Sequence, residues 1–184
     1  MAVRPKGRGI SWINEDGSPA TWITKGSGTV EKGSGSEFLF AYSTETIADR
    51  PEKSWGICWT ASTVDKTYGM SIRPGRDEDK GMGSATFRLL CDSDGILRIM
   101  QEYGGDMISA GPYEVGDRLA IKLNPNNVSF HRNTQVIFVS ERTPNFPMQI
   151  GIGFQDEGAK AVDVRLSEGA WAGPLAPGAP PRPE

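Results

Sequence analysis

The sequence predicts an all-β protein built as an antiparallel two-sheet jelly-roll sandwich. Two observations carry this. Apolar residues recur with a period of two along most of the chain, which gives each run one face for a core. Turn formers are dense, with 23 Gly and 13 Pro in 184 residues, as expected for many short elements joined by tight turns. No convincing helical period is present. A chain of this length makes one domain that needs neither disulfides nor metal to fold.

Residues 1–9 carry Arg4, Lys6 and Arg8 and read as a solvated arm. The sandwich is expected over residues 10–171. Apolar residues at 10–13 and 21–24 flank Asn14-Glu15-Asp16-Gly17, which predicts a hairpin. Residues 25–36 are rich in Gly and Ser and read as an extended loop or weak strand. Phe38, Phe40 and Tyr42 share one parity, so that face is expected to turn toward a core. Residues 43–53 predict a helical turn or two after a Ser/Thr cap, ended by Pro51.

Further strands follow. Trp55, Ile57 and Trp59 share a parity, as do Tyr68, Met70 and Ile72, then Phe87, Leu89 and Cys91. Asp92-Ser93-Asp94-Gly95 predicts a hairpin turn before Leu97 and Ile99. Leu119, Ile121 and Leu123 form the next run. Turns at Asn124-Pro125-Asn126-Asn127 and Arg132-Asn133-Thr134 bound a short strand at 128–131. Ile150, Ile152 and Phe154, then Val162, Val164 and Leu166, close the domain. That makes about eleven or twelve strands. Residues 172–184 are Pro-rich and form an extended tail.

The net charge is -3, with both signs spread along the chain, so no basic stripe marks a nucleic-acid partner. No apolar run approaches the roughly 20 residues of a membrane span, and residues 1–9 lack the apolar stretch of a signal peptide. The expected location is therefore the cytoplasm of the producing cell, with later association with a virion. Cys58 and Cys91 lie in apolar runs with no CxxC motif. They read as small buried hydrophobes, and a disulfide between them stays open.

Residues 83–167 resemble the concanavalin A-like lectin/glucanase superfamily, including its LamG- and SPRY-like members. The resemblance is carried by Val115-Gly116-Asp117-Arg118-Leu119, by Val128-Ser129-Phe130-His131-Arg132-Asn133-Thr134 and by Val136-Ile137-Phe138. In that family a Gly-Asp pair opens a strand, and an aromatic-rich strand ends in an Asn-Gly turn. Here His131 and Arg132 replace the usual aromatic and its neighbour, and Thr134 replaces the turn glycine. The resemblance implies a fold that hosts lectins, glycosidases, lyases and virion proteins, so function must be argued from the site.

Glucanases of the superfamily carry a Glu-x-Asp-x-Glu strand, and alternation sets its carboxylates on one face. That motif is missing. Asp77-Glu78-Asp79 is contiguous and lies in a charged loop. Together with Asp92-Ser93-Asp94-Gly95 it leaves calcium open as a ligand, although no cofactor is required. His131 is the only histidine and cannot build a histidine metal site. No catalytic residue is assigned, and the expected protein is not an enzyme.

The outward parity of the central strands supplies the candidate ligand residues Arg73, Arg88, Arg98 and Glu102. Guanidinium groups offer planar donors to sugar hydroxyls and carboxylates, although the same residues could pair with one another across strands. Trp12, Trp22, Tyr113 and Trp171 are candidates for stacking on a ligand or a neighbouring subunit. The expected function is non-catalytic recognition or structure, as a phage head-decoration or tail-fibre component whose lectin-like fold binds glycan. A stand-alone lectin-like protein is the alternative, and a glycoside hydrolase or polysaccharide lyase is a weaker one. The expected partners are glycans, copies of the chain itself, or other structural proteins of a larger particle.

Overall fold

Burial of one face per strand dictates the architecture. The computed structural model describes residues 12–14, 23–25, 29–32, 39–47, 54–79 and 81–168. Among them are fourteen strands: β1 (Trp12–Ile13), β2 (Ile23–Lys25), β3 (Val30–Lys32), β4 (Leu39–Ile47), β5 (Trp55–Ala61), β6 (Tyr68–Pro74), β7 (Phe87–Cys91), β8 (Ile96–Met100), β9 (Ile108–Pro112), β10 (Arg118–Leu123), β11 (Val128–Arg132), β12 (Gln135–Ser140), β13 (Met148–Phe154) and β14 (Lys160–Glu168). All pairings are antiparallel. The first sheet runs β1-β4-β13-β6-β7-β8-β9, and the second runs β12-β11-β10-β5-β14-β3-β2. The only helical element among the described residues is a short 3₁₀ turn at Asp77–Asp79.

The core lies between the sheets. Met70, Ile72, Phe87, Leu89, Leu97, Ile99, Ile152 and Phe154 come from the first sheet and are fully buried. Trp59, Ile57, Leu119, Ile121 and Phe130 meet them from the second. Each such side chain contributes roughly 1.5–3 kcal/mol by leaving water. Cys91 belongs to this core, and burial pushes its thiol up to about 12. Cys58 lies on the other sheet, is only partly buried, and both thiols are free.

Several expectations are corrected. The hairpin expected across Asn14 to Gly17 does not form, because β1 pairs with β4 in the first sheet and β2 with β3 in the second. The helical turn expected from residue 43 is strand as far as Ile47. There Thr46 and Ile47 pair with Gln149 and Met148, and β-branched residues suit that pleated setting. Residues 48–53 lie outside the described residues. Val162 does not join Val164 and Leu166 in the core. A register shift at Asp163, whose φ is 53°, puts Ala161 inward before it and Val164 inward after it, as a β-bulge does.

The turns at 92–95, 124–127 and 132–134 are present, with Gly95 at φ 78° and Asn133 at φ 56°. Gly69 in β6 is required by space: a Cβ there would sit 2.8 Å from the Leu89 carbonyl oxygen. Backbone cannot yield as a side-chain tip can, so Gly69→Ala is expected to cost upwards of about 1 kcal/mol. Urea unfolding would show this as a lowered midpoint at constant slope.

Candidate functional site

The outer face of the first sheet carries a groove of about 570 Å³. It is lined from β4, β6, β7 and β8 and from the loops that carry Met82 and Tyr103. Gly151 of β13 lies between Tyr42 and Ser71, and Gly153 lies between Phe40 and Gly69. A Cβ on Gly151 would come within 2.4 Å of Ser71 Oγ and 3.0 Å of the Tyr42 ring. The Tyr42 and Ser71 side chains therefore close over Gly151, and larger side chains line the groove. Phe40 and Tyr42 come from β4, Arg73 from β6, and Arg88 and Met100 from β7 and β8.

One end is walled by loops. Gly83 N–H donates to the Tyr103 carbonyl at 3.0 Å, and Tyr103 N–H donates to the Ser84 carbonyl at 3.0 Å. This pairing holds Met82 and Tyr103 beside the groove, 77% and 52% exposed respectively. Ser84 and Thr86 add hydroxyls 3.4 Å apart. The described lining contains two arginines and neither Asp nor Glu.

The two arginines are held differently. The Arg73 guanidinium stacks 3.2 Å from the Tyr42 ring centroid. Its Nε and Nη2 donate to Gln149 Oε1 at 3.4 and 3.3 Å. Gln149 in turn donates from Nε2 to the Ser43 carbonyl at 2.7 Å. Arg88 lies with its guanidinium carbon 5.0 Å from the Phe40 ring centroid, and no carboxylate reaches it among the described residues. Burial pulls its pKa below the ordinary arginine value, and the Tyr42 and Tyr103 phenols offset only part of that.

The other residues marked in the sequence lie elsewhere. Arg98 Nε is 2.6 Å from Asp92 Oδ2, and its Nη2 is 2.5 Å from Asp94 Oδ2. It therefore clamps the β7–β8 hairpin. That hydrogen bond is the main reason the Asp92 carboxyl falls below the usual carboxylate range. Glu102 Oε2 is 2.5 Å from Arg142 Nη2. Trp12 and Tyr113 are core residues, 4% and 3% exposed, so neither presents a face for stacking. Trp22 and Trp171 lie outside the described residues. Among the described residues, no three His, Cys, Asp or Glu side chains converge as a metal set would require.

Phe40 and Tyr42 were missed as site residues. Their shared parity suggested a core face, yet the core takes Ala41 and Ile47 from β4. The available signal was Gly151, whose missing side chain leaves room for Tyr42 and Ser71 on the outer face.

Similar solved structures share the architecture at low identity. A carbohydrate-binding module from Bacillus subtilis, CBM66, is 11% identical with a TM-score of 0.54, over 88% of this chain and 96% of that one. A human SPRY domain is 14% identical with a TM-score of 0.53, over 79% and 94%. A sialidase is 13% identical with a TM-score of 0.55, over 85% of this chain, which spans only 17% of the sialidase. No protein-family model matches the sequence, and no curated protein does. The chain thus shares the antiparallel two-sheet β-sandwich fold of these structures.

Proposed function

We propose that this protein is a non-catalytic recognition module that seats a glycan in the groove between Tyr42, Arg88 and Tyr103 on the outer face of the first sheet. The observation that carries the reading is the groove itself: an open trough lined by Phe40 and Tyr42, an exposed Tyr103 and several hydroxyls. Sugar rings bind by stacking apolar faces on aromatic rings while hydroxyls and planar donors fix their orientation. Hydrolysis of a glycosidic bond ordinarily needs two carboxylates flanking it, and the described lining offers none. The similarity to a carbohydrate-binding module over nearly its whole length supports the same reading.

The finer part of the proposal is that the module belongs to a larger assembly, a phage virion component of decoration or tail-fibre type made in the cytoplasm. It is supported by the composition of residues 1–9 and 172–184, which suits arms laid on neighbours. Val136 and Val139 on the edge strand β12 are 55% and 46% exposed, as a contact strand would be. Light scattering on the full chain tests this part, and a strict monomer at high concentration counts against it.

A glycan array, run with and without EDTA, tests the recognition role. Binding to one saccharide class is expected without metal dependence. Tyr103→Ala is expected to weaken that binding roughly tenfold, in line with the loss of one aromatic stacking contact. A blank array would remove the glycan reading, and undiminished binding by Tyr103→Ala would move the ligand off this groove.

A further inference from the structure

We infer that the groove is built for an acidic saccharide, with Arg88 as the anchor for the ligand's carboxylate. This rests on the glycan-binding reading of the same groove and names the class of glycan.

The chain carries a net charge of -3, yet the groove is lined by Arg73 and Arg88 and by no described acidic residue. Two other arginines of this sheet and its adjoining turns are engaged with carboxylates. Arg98 is paired to Asp92 and Asp94, and Arg142 to Glu102. Arg73 is fixed by the Gln149 amide and the Tyr42 ring. Arg88 differs from all of these, being half-buried on β7 with the Phe40 ring as its nearest described partner.

A guanidinium partly withdrawn from water without an anion has lost hydration and gained little in return. The lowered pKa of Arg88, whose leading cause is burial, reflects that loss. A bound carboxylate would accept two parallel N–H bonds from the planar fork, the strongest pairing available to it. The surroundings match the rest of an acidic sugar. The hydroxyls of Ser84 and Thr86 line the same groove as Arg88 and suit ring hydroxyls. Tyr103 and Met82 supply an exposed apolar rim for the ring face. A free inorganic anion would use the arginine and leave that rim idle.

The test uses the full chain and a panel of acidic oligosaccharides, both uronic and sialylated, each paired with its own methyl ester. Affinities are read by titration calorimetry. Each ester keeps the sugar and removes the charge. The acid is expected to bind roughly tenfold or more tighter than its ester, the range of a charge-assisted pair. Arg88→Gln is expected to bring that ratio close to one, Arg88→Lys to keep it above one, and Arg98→Gln to leave it as in the unmodified protein. Thermal melts of each variant establish that it is folded.

Equal affinity for acid and ester, or a ratio that survives in folded Arg88→Gln, overturns the acidic-ligand inference while the glycan reading stands. Binding only to neutral glycans does the same. Failure of every glycan, acidic or neutral, removes the underlying reading as well. Tighter binding of poly-glutamate than of any acidic saccharide overturns the inference in favour of an acidic peptide.

Discussion

Asp117→Ala is expected to lower folding stability by about 2–3 kcal/mol, because a buried carboxylate that serves three donors is lost while its ion-pair partner Arg132 stays partly solvated. Asp117 is 4% exposed, and its carboxylate organises a corner of the second sheet. Oδ2 accepts from Arg132 Nε at 2.6 Å and from the Glu114 amide at 2.9 Å, and Oδ1 accepts from Asn133 Nδ2 at 2.8 Å. Asn133 holds the β11–β12 turn in the left-handed region, and its Oδ1 accepts from the Arg118 amide at 2.9 Å. One side chain therefore fixes the start of β10 and the turn two strands away. Without it, two part-buried donors and a guanidinium lose their acceptor.

The same site sets an acid limit. Burial alone would raise the Asp117 pKa, but hydrogen bonds from Asn133, the Glu114 amide and Arg132 outweigh it and hold the pKa below 3.8. A carboxyl with a depressed folded pKa contributes stability that is present above its unfolded pKa and is lost as pH falls through the folded one. Asp117→Asn should therefore flatten the stability profile below about pH 4. Urea unfolding at pH 7 checks the main effect, and a loss of under about 1 kcal/mol for Asp117→Ala would mean the corner holds without its carboxylate.

The Gly-Asp and Arg-Asn elements that carry the family resemblance are thus structural, and this explains what was legible. One-sided burial writes alternation directly into β5, β6, β7, β10 and β13, so their existence and core parity could be read. Turn chemistry at Gly95 and Asn133 could be read for the same local reason. Alternation marks a face without saying which side of the sheet it takes, and Phe40 and Tyr42 show the consequence. A groove-bearing outer face is itself aromatic, so parity alone points that stripe inward.

Arg73 and Arg88 were visible because their core-facing neighbours Ile72, Phe87 and Leu89 fixed the parity. Arg98 and Glu102 shared the right parity, yet both belong to ion pairs. The Asp92–Arg98 and Glu102–Arg142 partnerships depend on how turns fold back, which periodicity does not encode. Met82 and Tyr103 could not be placed either, since the backbone bonds joining their loops are nonlocal. The Asp163 bulge reversed parity within one strand, which no alternation rule anticipates.

The single histidine gives a second, separable pH effect, on the order of 2 kcal/mol lost between pH 7 and pH 5. His131 sits on the outer face of the second sheet, with Ser129 Oγ 2.8 Å from its Nε2. Burial, and secondarily the Lys122 charge, lowers its pKa from 6.5 to about 4. A folded pKa below the unfolded one means that the unfolded chain takes up the proton first. Stability must then fall as pH drops through 6.5 toward 4, above the window in which Asp117 acts.

His131→Gln keeps a hydrogen-bonding side chain beside Ser129 and removes the titration. It should unfold at a urea midpoint that barely changes between pH 7 and pH 5, while that of the unmodified protein declines. An equal decline in both would assign the loss to other groups. The groove is on the opposite sheet, so ligand affinity measured on the folded population should not follow His131. A shared pH dependence of binding and stability would show that the two sheets are coupled through the core.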